Sequence, residues 1–147
     1  EQVDYENLKK AGLFRDLSDS ELEVVMKKVF EKTYKKGSML FVEGMPGEVL
    51  YIIIEGGIDV TKKGRDGSEI EVAKLGPGEV VGEMSLIDSG PRTASGKTNA
   101  DSKLIVITKK SFNEILESDP AIAAKILMEM LRVVNKRLRV TDKKFEG

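Results

Sequence analysis

The residues best placed to do chemistry in this chain lie between Gly78 and Ser95, in the segment GEVVGEMSLIDSGPRTAS. Gly82 ends a short strand and lets the backbone approach a ligand closely. Glu83 follows at once, and Met84 to Ile87 suit a short helical turn, whose free N–H groups attract an anion. Nine residues beyond Glu83, past the turn signals Ser89, Gly90 and Pro91, stands Arg92. One fixed guanidinium fork beside a nest of N–H groups suits a singly charged phosphate diester. A carboxylate in the same pocket repels phosphate, so Glu83 needs another task, and accepting from a sugar hydroxyl fits it. A phosphate donor and a ribose acceptor together describe a nucleotide. Taken singly, Arg92 also reads as a surface arginine after a turn and Glu83 as a cap on a short helix. The joint spacing carries the stronger reading.

What the chain lacks narrows the chemistry further. Its 147 residues contain no Cys and no His. Disulfides, thiol nucleophiles and cysteine metal sites are therefore excluded, together with the commonest general base and transition-metal ligand. A metal-dependent oxygenase on a β scaffold would need a facial triad that this sequence does not hold. Net charge is −1, so no global basic field recruits nucleic acid or an anionic membrane. No apolar run reaches the roughly 20 residues of a membrane-spanning helix, no cleavable signal pattern is present, and the cytoplasm is the expected compartment. With Glu1 and not Met in front, the sequence leaves room for more chain ahead of it.

The elements that must position Glu83 and Arg92 read as helix, then many short strands, then helices. Ser18 and Glu21 form a capping box, with Leu17 and Leu22 placed as a hydrophobic staple. Leu22, Val25, Met26, Val29 and Phe30 mark one helical face, and residues 5–14 add a short helix ending near Gly12. From Lys32 to Ile107, short apolar runs alternate with glycines. Strands are expected around 39–42, 49–55, 58–62, 70–75, 80–81 and 104–107, with a hairpin turn at Gly64-Arg65-Asp66-Gly67-Ser68. Such a pattern predicts an antiparallel β-roll, a jelly roll, with N-terminal helices and a long C-terminal helix. Ser111 and Glu114 read as a second capping box, and Asp119 caps a last helix with Pro120 at its first position. Ala124, Leu127, Leu131, Val134 and Leu138 form a stripe on that helix. Ile122, Ile126, Met130, Val133 and Val140 make it apolar on more than one side, which suits two packing partners. The basic residues Arg132, Lys136, Arg137, Arg139, Lys143 and Lys144 read as a solvated face.

The stretch G-E-M-S-L-I-D-S-G-P-R-T-A-S resembles the phosphate-binding cassette of the cyclic nucleotide-binding domain family, which includes regulatory subunits of cAMP-dependent kinase, catabolite activator proteins and cyclic nucleotide-gated channels. LFRDLSDSEL is similar to the family's helical entry, GEVLYIIIEGGIDV to its early strands, and FNEILESDP to its link into the final helix. The resemblance covers nearly the whole chain. It implies one domain, with helices at 1–31, a β-roll at 32–109 carrying a cassette at 82–95, and helices at 110–147. It implies that Arg92 pairs with the phosphate oxygens and that Glu83 takes the ribose 2′-hydroxyl. Backbone groups at Gly82, Met84, Ser85, Thr93 and Ala94 complete the cradle, and Val60 and Val72 lie against the base. For the two valines, plain barrel core is an equal reading. Arg-Val-Thr-Asp near the end resembles the base-capping part of the activators' long helix. Thr141, with Asp142, is thereby a candidate for the purine edge. The segment lies about one helical turn further along than in those activators, so Asn135, Arg132 and Lys136 remain candidates too. One departure stands out: Gly96 occupies a position where the family carries an apolar strand residue.

The resulting expectation is a non-catalytic sensor or regulatory module that binds cAMP in preference to cGMP, with no metal. Two alternatives are kept. The chain is the sensor half of a transcription regulator, although no helix-turn-helix follows Val140 in this sequence, or it is a degenerate member used for protein contacts. A homodimer through the C-terminal helix is the expected protein partner, with no direct nucleic-acid or membrane binding.

Overall fold

A computed structural model describes residues 1–88 and 90–146, the last six by their backbone alone. Two short helices open the chain, α1 (Tyr5–Lys10) and α2 (Asp19–Met26), joined through a 3-10 turn at Gly12–Phe14. The expected capping box is present: Glu21 N–H donates to Ser18 Oγ, and Ser18 N–H donates to Glu21 Oε1. The helix stops earlier than its apolar spacing suggested. Lys28 N–H donates to the carbonyl of Val25, tightening the last turn, and Phe30 begins a strand instead of continuing the helical face.

Eight strands follow: β1 (Phe30–Tyr34), β2 (Met39–Phe41), β3 (Val49–Glu55), β4 (Ile58–Lys63), β5 (Glu69–Leu75), β6 (Val80–Val81), β7 (Ser95–Thr98) and β8 (Ser102–Thr108). They pair antiparallel in two four-stranded sheets, ordered β1-β8-β3-β6 and β2-β7-β4-β5. This is the jelly roll expected from the strand spacing, closed by α3 (Lys109–Ser118) and the long α4 (Pro120–Glu146). The hairpin between β4 and β5 turns where its glycines predict. Gly64 N–H donates to the Ser68 carbonyl at 2.7 Å, and Gly67 takes a positive φ of 82°.

The first sheet is covered on both faces, which explains the unbroken apolar run VLYIII. Leu50 and Ile52 of β3, with Ile105 and Ile107 of β8, enter a core shared with the helices. Tyr51 and Ile53, with Leu104 and Val106, enter a second core against the other sheet. Period-2 alternation sends neighbouring side chains to opposite faces. At the C-terminal side, α3 is capped by Thr108, whose hydroxyl accepts from Ser111 N–H at 3.1 Å. Ser111 is therefore inside the helix and not its cap. Asp119 receives the first N–H groups of α4, those of Ile122 and Ala123, on its backbone carbonyl.

The first half of α4 is tied to the N-terminal helices. Glu129 is almost fully buried and accepts from Arg15 and Arg132, while Arg132 also reaches Asp16. Lys125 pairs with Glu21 at 2.8 Å. Charges buried in this way need such partners. Among the described residues, no helix is long and apolar enough to cross a membrane.

Candidate functional site

The cassette begins where β6 ends. Gly82 has φ 86° and ψ 20° and opens a 3-10 turn at Glu83–Leu86. A Cβ at this position would stand 2.7 Å from both the Val49 carbonyl oxygen and Arg92 Nη1, so glycine is required by conformation and by space. The turn is closed by Ser85 N–H donating to the Gly82 carbonyl at 2.9 Å. It buries Glu83 and Ser85 among polar groups and sends Leu86 into the helical core.

Arg92 is held from three sides. Its backbone N–H donates to the Met45 carbonyl at 2.8 Å, and Pro46 and Pro91 form a bridge beside it. Its side chain runs across Gly47, where any Cβ would fall on the Arg92 Nε. Nη2 donates to the Val49 carbonyl at 3.0 Å, and the guanidinium carbon lies 4.6 Å from the centre of the Phe41 ring. The Nε itself is buried and has no hydrogen-bond partner among the described residues. Burial lowers the Arg92 pKa below the ordinary arginine value, against opposing pulls from Tyr51 and Glu83. The group remains a cation at any physiological pH. A desolvated cation with an unused donor is costly in isolation, and an anionic ligand would supply what is missing.

These residues line a cavity of about 340 Å³, within the usual range for small-molecule sites. Of the residues singled out from the sequence, Gly82, Glu83, Met84, Ser85, Arg92, Thr93, Ala94 and Val60 all line it. Val72 does not. Val60 pairs with Ala73 and Thr61 with Glu71, so Val72 is the extra residue of a β-bulge, half-exposed on the edge strand β5. Thr141 and Asp142 lie outside the residues whose side chains are described. The other candidates on α4 point elsewhere: Arg132 turns to Asp16 and Glu129, and Asn135 and Lys136 are exposed.

The cavity lining also includes residues that the sequence does not mark as ligand-binding, among them Phe41 and Arg137 from elements outside the cassette. Arg137 donates from Nη1 to Glu83 Oε1 at 2.6 Å and from Nη2 to the Val80 carbonyl. It belongs to the site and not to the solvated face on which its charge suggested placing it. A signal was available: Ile126 and Met130 are buried on α4, and Arg137 lies three turns beyond Ile126 on the same face. An arginine continuing a buried apolar row has a partner to reach.

A family model described as "Cyclic nucleotide-binding domain" matches residues 31–119. The chain is 31% identical over 93% of its length to a CRP-like cAMP-activated global transcriptional regulator of Mycobacterium tuberculosis, covering 59% of that protein. It spans about three fifths of the curated relatives it matches first. Among solved structures, a cyclic nucleotide-binding domain from Methylobacillus flagellatus superposes with TM-score 0.85 at 28% identity, over 95% of this chain and 79% of that one. The N-terminal domain of a transcriptional regulator from Streptomyces coelicolor matches at TM-score 0.75 and 34% identity, over 95% and 94%. The chain belongs to the cyclic nucleotide-binding domain family.

Proposed function

We propose that this chain binds cAMP, in preference to cGMP, as a non-catalytic sensor. The observation that carries the reading is the buried, unpartnered Nε of Arg92, set beside Gly47 and Gly82, whose missing side chains leave room for its guanidinium at the cavity. Arg92 takes the cyclic phosphate, and the Glu83 carboxylate, with about four lone-pair sites, takes the ribose 2′-hydroxyl while Arg137 stays near. Thr93 and Ala94 close the phosphate end, and Val60 offers the base an apolar wall. Among the described residues, no cluster of metal-ligating side chains offers an alternative chemistry. Calorimetry with both nucleotides tests the reading. A saturable heat with cAMP, and a weaker one with cGMP, is expected; no heat with either would end it.

A second layer concerns the whole protein. The relatives that are transcription regulators are longer than this chain, which supports a sensor unit whose output lies in further chain or in a partner. The self-partner we favour uses α4. Ala124, Met128, Leu131 and Leu138 face outward, with Leu131 62% exposed, at steps of four, three and seven that suit a helix–helix seam. Leu131→Glu should convert a dimer to a monomer in light scattering without altering the fold. A wild-type chain that is monomeric at every concentration, with and without cAMP, would remove the dimer.

A further inference from the structure

The glycine that breaks the strand pattern has a counterpart across the ladder. Phe41 of β2 and Gly96 of β7 are direct partners, so residues at the two positions share one face. Gly96 is buried, and a Cβ there would run into the ring atoms of Phe41. The two positions therefore divide one volume, with an aromatic ring on one strand and no side chain on the other. The ring stacks against Tyr51 at 6.4 Å with an interplanar angle of 20°, and its other neighbour is the Arg92 guanidinium.

We propose that Phe41, seated in the notch left by Gly96, is the positioning residue for Arg92 in anion binding. The inference rests on the cyclic-nucleotide reading above. A guanidinium donates hydrogen bonds only in its plane, while its faces are weakly hydrated and stack on aromatic rings. The guanidinium carbon lies over the Phe41 ring at 4.6 Å, and the Val49 carbonyl takes one donor. Arg92 lines the cavity, so on this proposal its other donors are held for a ligand before any ligand arrives. An aliphatic side chain at residue 41 would fill space without attracting the charge. Arg92 would then sample other rotamers, and their loss would weaken binding.

The test separates packing from positioning. Phe41→Leu combined with Gly96→Ala exchanges the ring and the notch for two ordinary aliphatic groups of similar total bulk. The double variant should melt close to wild type yet bind cAMP about three- to tenfold more weakly. In the ligand-free protein, the Arg92 Nε–H proton resonance, shielded by the ring in wild type, should move downfield. Phe41→Leu alone carries the same two expectations and serves if the double variant does not fold. Wild-type binding with unchanged affinity and an unmoved Arg92 resonance in the variants would overturn the positioning role. Failure of wild type itself to bind cAMP would overturn the cyclic-nucleotide reading, and this inference with it.

Discussion

Replacing Arg92 with alanine is expected to abolish most of the affinity for cAMP while leaving the ligand-free fold as stable as before, or more so. Truncating one partner of a desolvated charge pair costs about 2–5 kcal/mol, which corresponds to at least about a thirtyfold loss in affinity. The stability half of the expectation follows from the unpartnered Nε. In the ligand-free chain Arg92 is half-buried, its pKa lowered by desolvation, with one hydrogen bond to Val49 and a ring contact in return. Removing an incompletely satisfied polar group relieves a cost that only the ligand offsets. Calorimetry and thermal melting of Arg92→Ala give both readings. Affinity equal to wild type in a folded variant would refute the assignment of Arg92.

Glu83→Ala should lower the affinity for cAMP by about tenfold to a hundredfold, the range of a charge-assisted hydrogen bond. The loss should nearly vanish for 2′-deoxy-cAMP, because the hydroxyl and the carboxylate act as one pair. A double cycle between protein and ligand measures the coupling directly, and zero coupling would contradict the assignment. Arg137 makes a further distinction. On the proposed reading, its ion pair with Glu83 would offset the repulsion between that carboxylate and a phosphate in the same cavity. Arg137→Met should therefore weaken binding in the wild-type background and have little effect once Glu83 is alanine.

Much of this site was legible from the amino-acid sequence because its parts are contiguous. Gly82, Glu83 and Arg92 sit within one segment, and the glycine turn and the short helical turn after it follow from residue type. Phe41 and Arg137 come from distant elements; the helical spacing of Arg137 from Ile126 is the one signal for it, and nothing in the local sequence marks Phe41. Whether a Phe on an amphipathic strand meets a guanidinium or merely core depends on which strand lies beside it. Gly96 was noticed as an anomaly, but its reason, the Phe41 ring on the facing strand, is a tertiary fact. The two strands that the apolar pattern does not mark, β1 and β7, are those with the poorest hydrophobic pattern, FEKTY and SGKT; for β7 the resemblance alone implies a strand at Gly96. They are strands because β8, β2 and β4 offer ladders, so neighbours override weak local preference. Val72 lies off the cavity lining for the same kind of reason, since a bulge cannot be read from an alternating run.

The two-sided sheet, packed in a core on each face, is built as the stator of the molecule. Shifting β3 or β8 would require two close-packed cores to rearrange together, each resisting small changes of volume. β2, β5 and β7 lie in the other sheet, and the first half of α4 packs in the helical core, so a shift of any of them would require only one core to repack. The Val49 carbonyl that anchors Arg92 belongs to the stator, whereas Phe41, which braces it, and Arg137, which pairs with Glu83, belong to parts on opposite sides of it. On the proposed reading, a ligand on Arg92 and Glu83 would be clamped between a fixed post and two arms, one in the outer sheet and one on the last helix. Any displacement it caused should then be borne by those arms, with the central sheet as the frame against which both are measured.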